Sequence, residues 1–259
     1  MINHKLANIH PNAKIGKNVI IEPFATIYED VVIGDNCWIA SNAVVMSGAR
    51  IGNNCKIFPG AIISAESQDL KYNGEYAITE IGDNTTIREY VTIHKGTLDK
   101  KITKVGSNCL LMSYVHVAHD CTVGDNVVIA NLVQLAGHVI VGDWVIIEGT
   151  AAIQQFVSIG QHSFIAGGSL VRKNVPPYVK AAREPLSYIG VNTIGLRRRG
   201  FNDQQIINIE DIYRVIYVQN SNMTTALRVA DLEIPVSEEK EVILEFIRNS
   251  NKGIMRGLS

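Results

Sequence analysis

The sequence predicts an all-β solenoid, a parallel β-helix of hexapeptide repeats with three hexads per triangular coil, closed by C-terminal helices. Three observations predict it. An aliphatic residue returns every sixth position from Ile9 through Ile15, Ile21, Ile27, Ile33, Ile39, Val45, Ile51 and Ile57 to Ile63. A small residue follows four places later, at Ala13, Val19, Ala25, Val31, Cys37, Ala43, Ala49, Cys55 and Ala61. Neither a helical repeat of 3.6 nor a strand repeat of 2 demands a period of six, so each unit reads as a short strand and a turn. Repetition on this scale means stacked coils.

The number of hexads per coil follows from glycine. Gly16, Gly34 and Gly52 are spaced by 18, as are Gly106, Gly124, Gly142 and Gly160. The triplets Gly34-Asp35-Asn36, Gly52-Asn53-Asn54 and Gly124-Asp125-Asn126 are expected to occupy turns needing positive φ. Coils then stack by parallel pairing about 4.8 Å apart. The hexads resume at Ile81, Ile87 and Ile93 and run from Val105 to Val171.

Two segments leave the pattern. Ser64–Glu75 is too polar and irregular for the prism wall, and Thr97–Lys101 interrupts the hexads before Val105, so projecting loops are expected near 64–80 and 97–104. After Pro176-Pro177 the period changes. Asn202 with Gln205 three residues on has the form of a capping box, ahead of Ile206, Ile207, Ile209, Ile212, Val215 and Ile216. A second apolar stripe, Val242, Ile243, Phe246 and Ile247, follows Ser237. The division expected is a β-helix over 1–185 and a helical domain over 186–259.

With 259 residues, a net charge of −1 and 46% hydrophobic residues, the chain can build a continuous core and has no global signature of nucleic-acid binding. The first residues, Met1 to Leu6, lack the apolar run of a signal peptide, and no stretch is apolar enough to span a membrane, so no integral membrane segment and a cytoplasmic location are expected. Cys37, Cys55, Cys109 and Cys121 all fall on the small inward slot and read as reduced core residues, Cys37 stacked on Cys55. Charge is uneven. From Val171 to Arg199 there are seven basic residues, Arg172, Lys173, Lys180, Arg183, Arg197, Arg198 and Arg199, against Glu184 alone, which suits an anionic partner.

Chemistry must come from polar residues that the wall does not require. Counting 18 from His119 reaches Gly137, which stacks an imidazole on a backbone with no side chain. A histidine can serve as general base and a glycine N–H as oxyanion donor, a pairing suited to acyl transfer. On the residues alone two other readings stand beside it: turn histidines with no role, and metal ligation by His116, His119 and His138. A Cys121–His119 nucleophile is disfavoured by the inward slot of Cys121.

Longer phrases carry a resemblance. Leu110-Leu111-Met112-Ser113-Tyr114-Val115-His116-Val117-Ala118-His119-Asp120-Cys121-Thr122-Val123-Gly124 resembles the active-site stretch of the UDP-N-acetylglucosamine O-acyltransferases, which open lipid A biosynthesis. So do Gln68-Asp69-Leu70-Lys71-Tyr72, Ile87-Arg88-Glu89, Val91-Thr92-Ile93-His94, Leu135-Ala136-Gly137-His138, Val175-Pro176-Pro177-Tyr178-Val179, Gly190-Val191-Asn192 and Arg198-Arg199-Gly200-Phe201, which together cover nearly the whole chain.

The resemblance implies a left-handed β-helix, a homotrimer with active sites between prisms, and transfer of a 3-hydroxyacyl chain from acyl carrier protein to the sugar 3-hydroxyl, with no metal and no cofactor. It makes His119 the base, Asp120 its orienting carboxylate and Gly137 the oxyanion donor. His116 and His138 would contact sugar nucleotide and acyl chain, while Gln68, Asp69 and Lys71 would reach across the subunit boundary. Asn192, Arg198 and Arg199 would recognise substrate or carrier. Acyl length would be set where Gly167 stands, beside Phe164, and the missing side chain implies a long chain.

The match has departures. Gln154-Gln155-Phe156 stands where the well-known pattern has His-Gln-Phe, and Ile194 replaces a glutamate that contacts the nucleotide. The alternatives are N-acylation of a 3-amino UDP-sugar, a hexapeptide acyltransferase using a coenzyme A donor, a zinc-dependent prism and a non-catalytic scaffold. A related N-acyltransferase with an added N-terminal uridine-binding domain is disfavoured because the hexads begin by Ile9.

Overall fold

The computed structural model describes residues 2–3, 5–220 and 222–257, with residues 2 and 3 as backbone only. Each hexad contributes a two-residue strand whose second residue points inward, as in Thr26–Ile27 and Val128–Ile129. Strands pair in parallel with those one coil away, Ile9 on Ile27 and Ile129 on Ile147, so the 18-residue spacing becomes the coil repeat. Among the described residues three sheets of eleven, nine and eight strands result. We call them faces I, II and III, in the order the chain visits them.

Inside lies one continuous apolar stack, with Ile27, Ile39, Ile57, Leu111, Ile129 and Leu135 all at most 1% exposed. The four cysteines are buried there as free thiols, and the Cys55 N–H lies 3.4 Å from the Cys37 sulfur. Cys121 donates to the Ala136 carbonyl at 3.1 Å, and burial pushes its thiol up to about 12, which removes it as a nucleophile at neutral pH.

The three corners differ. At the corner between faces III and I, Asn18, Asn36, Asn54 and Asn84 carry the positive φ and form a ladder of side-chain amide bonds of 3.1–3.3 Å. Its glycines do something other than expected. Gly34 has no positive φ; a Cβ there would lie 2.7 Å from the Gly52 carbonyl oxygen, so glycine is needed for close coil stacking, and asparagine makes the left-handed turn. Between faces I and II the positive φ falls in several coils on bulky residues, Phe24, Tyr90, Tyr114 and Leu132, with Tyr90 stacked on Tyr114 at 5.2 Å, and in others on Asn42, Gly60, Thr150 and Gly168.

Both excursions leave from the third corner, between faces II and III. The first lies between strands Ile62–Ala65 and Ile78–Ile81, the second between Thr92–His94 and Ile102–Val105. Directly above them in the stack come His119-Asp120, Gly137-His138 and Gln155-Phe156. Among the described residues, this histidine corner is where both excursions interrupt the wall.

The prism ends in a strand pair, Val179–Ala182 antiparallel to Ser187–Val191, whose tip contains the boundary expected at 185/186. Among the described residues four α-helices follow: α1 (Thr193–Arg198), α2 (Asp203–Arg214), α3 (Met223–Glu233) and α4 (Glu238–Arg248). The Asn202–Gln205 capping box is formed, and Ser237 caps α4. The apolar run expected to continue α2 instead becomes a π-helical turn over Val215–Gln219. Ile206, Ile209 and Ile212 join the core of the prism, so the helices seal its open end. None of the described helices is long and apolar enough to cross a membrane.

Candidate active site

Asp120 occupies the left-handed region at φ 58°, a conformation aspartate tolerates, and is fully buried. A buried carboxylate needs partners, and this one has four. Its Oδ1 accepts from the Thr97 N–H at 3.0 Å and the Lys100 N–H at 3.3 Å. Oδ2 lies 2.6 Å from the Thr97 hydroxyl and 2.8 Å from His119 Nδ1. Burial alone would raise this carboxyl, but the Thr97 hydroxyl, the His119 bond and the Thr97 N–H outweigh it, and it titrates below the ordinary carboxylate value. Asp120 therefore stays ionised and holds a proton on His119 Nδ1, which leaves Nε2 as the free base.

Gly137 sits on that ring. A Cβ on Gly137 would lie 2.5 Å from both Cε1 and Nε2 of His119, so only glycine lets the coils stack here. The Gly137 N–H makes no hydrogen bond among the described residues, whereas the next N–H, of His138, bonds the His119 carbonyl at 3.0 Å. An unpartnered donor thus lies beside a free imidazole nitrogen, as acyl transfer requires.

The loop meets the site from its own chain. Asp69 Oδ2 is 3.9 Å from His119 Nε2 of the same chain. Asp69 separates two openings. On one side a cleft of about 390 Å³ is lined by Gln68, Asp69, His116, His119, Gln134 and Gly137. On the other, about 570 Å³ lies among Asp69, Lys71, Glu75, Asp99, His138 and Phe156.

His116 stands on face II, with Nδ1 2.8 Å from the Thr92 hydroxyl, and burial together with His94 and His119 pushes it down to about 4. It is a neutral hydrogen-bonding group near neutral pH. The His138 ring stacks on Phe156 at 4.5 Å and meets His119 edge-on at 5.1 Å. Burial lowers its pKa, opposed by Asp120. His119, Asp120 and His138 have ligand-type atoms within 4.8 Å of one another, but the four acceptor positions of Asp120 are committed to protein donors. A cation bound through Asp120 would have to displace one of them.

The remaining candidates lie elsewhere. Gln154 and Gln155 are exposed one coil above Gly137 at the same corner. Asn192 and Arg199 are at the asparagine corner, across face III: the Asn192 amide donates to the His162 carbonyl at 2.9 Å, and the Arg199 guanidinium lies 5.4 Å over Trp144 and 3.3 Å from His162 Nδ1. Arg198 is exposed on α1. The basic segment is partly neutralised, since Arg172 pairs with Glu184 and Arg197 with Asp203. Phe164 is on face I, and Gly167 is at the next corner, its N–H on Glu148 Oε2 at 3.1 Å.

Sequence reasoning missed Thr97, Glu75 and Asp99. Glu75 ties the excursions together by accepting from the Leu98 N–H at 2.9 Å and the Asn73 N–H at 2.8 Å, and Asp99 lies 3.4 Å from His138. The only signal for them was the break in the hexads.

Comparison with known proteins fits this geometry. Residues 174–255 match the family described as UDP-N-acetylglucosamine O-acyltransferase, domain 2, and residues 30–65 and 102–137 match the bacterial transferase hexapeptide repeat. An acyl-[acyl-carrier-protein]–UDP-N-acetylglucosamine O-acyltransferase of Sulfurihydrogenibium sp. is 52% identical over 97% of this chain and 93% of its own. The corresponding protein of Aquifex aeolicus is 56% identical over 75% of each chain. The crystal structure of a UDP-N-acetylglucosamine acyltransferase from Bacteroides fragilis superposes with a TM-score of 0.97 at 50% identity, covering 99% of this chain and all of that one. That of Acinetobacter baumannii gives 0.96 at 40% identity over 99% of this chain. The prism is accordingly a left-handed β-helix, and with the His119–Asp120–Gly137 corner it makes this chain a member of the UDP-N-acetylglucosamine O-acyltransferase family.

Proposed function

We propose that the chain transfers a 3-hydroxyacyl group from acyl carrier protein to the 3-hydroxyl of UDP-N-acetylglucosamine, the first step of lipid A biosynthesis, in the cytoplasm. The observation that carries this reading is the stack of Gly137 on His119, with Nδ1 held by Asp120. His119 Nε2 takes the proton of the sugar hydroxyl as its oxygen attacks the thioester carbonyl carbon. The Gly137 N–H faces the oxyanion that forms. Collapse breaks the C–S bond, and the imidazolium returns its proton to the departing thiolate, so no acyl-enzyme is needed. Gln68, Asp69 and His116 line the cleft that would hold the sugar, while Lys71 and His138 face the other opening.

Position also supports a homotrimer. His119 and Arg199 lie at different corners, separated by a face about 20 Å wide at ~3.3 Å per strand residue. If Asn192, Arg198 and Arg199 hold the nucleotide, that nucleotide belongs to the site of the adjoining copy. Gly167, lacking a side chain, leaves room for a long acyl chain.

Turnover of wild type and His119→Ala with UDP-N-acetylglucosamine and 3-hydroxyacyl carrier proteins of graded length tests the reading. Carrier-dependent acylation that falls at least about a hundredfold in the variant supports it. Activity only with a 3-amino UDP-sugar or with coenzyme A donors would replace it.

A further inference from the structure

The second excursion has no part in the wall, and none of its residues was given a step in the transfer above. It is nonetheless held by hydrogen bonds to Asp120 and to Glu75. The Lys101 N–H closes it on the Thr97 carbonyl at 2.7 Å, a single turn in which the N–H groups of Thr97 and Lys100 both point at Asp120 Oδ1. Thr97, 8% exposed, places its hydroxyl 2.6 Å from Oδ2, the oxygen that also accepts from His119 Nδ1. From the opposite side Lys100 Nζ reaches the Asp120 carbonyl at 3.1 Å, and the buried Thr103 hydroxyl receives the Asp120 N–H at 2.8 Å. Glu75, on the Leu98 N–H, fastens the turn to the first excursion.

We infer that Thr97 is a positioning residue for the transfer reaction: the excursion is a carboxylate cradle whose threonine fixes the Asp120 oxygen that orients the His119 imidazole. A carboxylate rotates about its Cβ–Cγ bond unless both oxygens are held. Two backbone donors pin Oδ1, and the Thr97 hydroxyl fills the lone pair of Oδ2 not used by the imidazole, so the histidine is met by an oxygen in one place and of set basicity. Without the hydroxyl, Oδ2 has a vacant lone pair in a buried site, and its charge falls more fully on His119. The imidazolium is then stabilised, and the base is protonated at higher pH.

This inference rests on His119 being the base, and its test keeps the two apart. Wild type, Thr97→Val, Thr97→Ser and His119→Ala are compared for kcat and KM with both substrates and for the pH dependence of kcat/KM, with thermal melting as a check of folding. Valine keeps the shape and removes the donor; serine keeps the donor. Thr97→Val should lose about tenfold or more in kcat with little change in either KM, and the acid limb of its profile should move to higher pH. Thr97→Ser should stay within about threefold of wild type.

The groups facing His119 are unchanged in both variants: Asp69, Asp120 and His138 in contact, His94 and His116 on face II, and Asp99, Lys100 and Glu75 around the carboxylate. A shift of the limb therefore reports the lost bond. Wild-type kcat and an unmoved limb in a folded Thr97→Val would overturn the inference, and so would Thr97→Ser falling tenfold, whether or not the valine variant folds. Full activity in His119→Ala would instead remove the base assignment on which it stands.

Discussion

At the scale of single residues, one missing methyl group decides the chemistry. A side chain on Gly137 would overlap the His119 ring, and neither group can withdraw, because each belongs to a coil held by parallel pairing on both sides. Gly137→Ala should lower kcat by about a hundredfold or more by displacing the imidazole and the N–H together, with circular dichroism of the fold retained. Asp120→Asn should cost a similar factor: an amide supplies fewer acceptors to Thr97, Lys100 and His119, and turning its NH2 toward Nδ1 would hold the ring in the wrong tautomer. The His119–Gly137 contact was legible in the sequence, because a strict 18-residue repeat turns spacing into adjacency. Thr97 was not. Its partner is 23 residues away across an irregular turn, where no period converts sequence distance into space.

At the scale of elements, the asparagine corner is held by a ladder in which each side chain serves the coil above or below. Asn36 accepts from Asn18 and donates to Asn54 while adopting φ 57°. Asn36→Ala removes both bonds and places an ordinary residue in the left-handed region, for an expected loss of about 2 kcal/mol of stability in urea unfolding. The strands and the capped start of α2 were readable, since hexad and capping box are local signals. Glycine's task at the corners was misread, because close approach between coils and positive φ leave the same residue in the sequence. Helix α3 gave a faint signal for a physical reason: the residues it buries fully are Ala226 and Ala230, so no large apolar stripe marks its inner face.

At the scale of the whole molecule, protonation opposes the fold. Burial pushes His116 and His162 down to about 4 from an ordinary 6.5. An imidazole depressed on folding contributes stability that is complete above 6.5 and is lost as pH falls through its folded value. The melting temperature should therefore drop between pH 6.5 and pH 4, and His162→Gln should flatten that slope; a melting temperature independent of pH across the window would contradict it. Shared sites make a second prediction. If Arg199 serves a neighbouring copy's site, co-assembled His119→Ala and Arg199→Ala chains should recover activity that neither homogeneous preparation has, because some sites then combine an intact corner from each. No recovery would place both residues in the same chain's site.

The excursions carry a further consequence. Coil register advances by 30 from Lys56 to Thr86 and by 24 from Thr86 to Leu110, where the preceding coils and those that follow as far as Phe164 advance by 18. The additions are thus whole hexads in length, two and then one, and the chain re-enters the stack with the same residue pointing inward as if nothing had intervened. Such a scaffold lets its working parts be exchanged as cassettes. Lengthening or rewriting them need not disturb the pillar, so specificity can drift across a lineage while the architecture stands still.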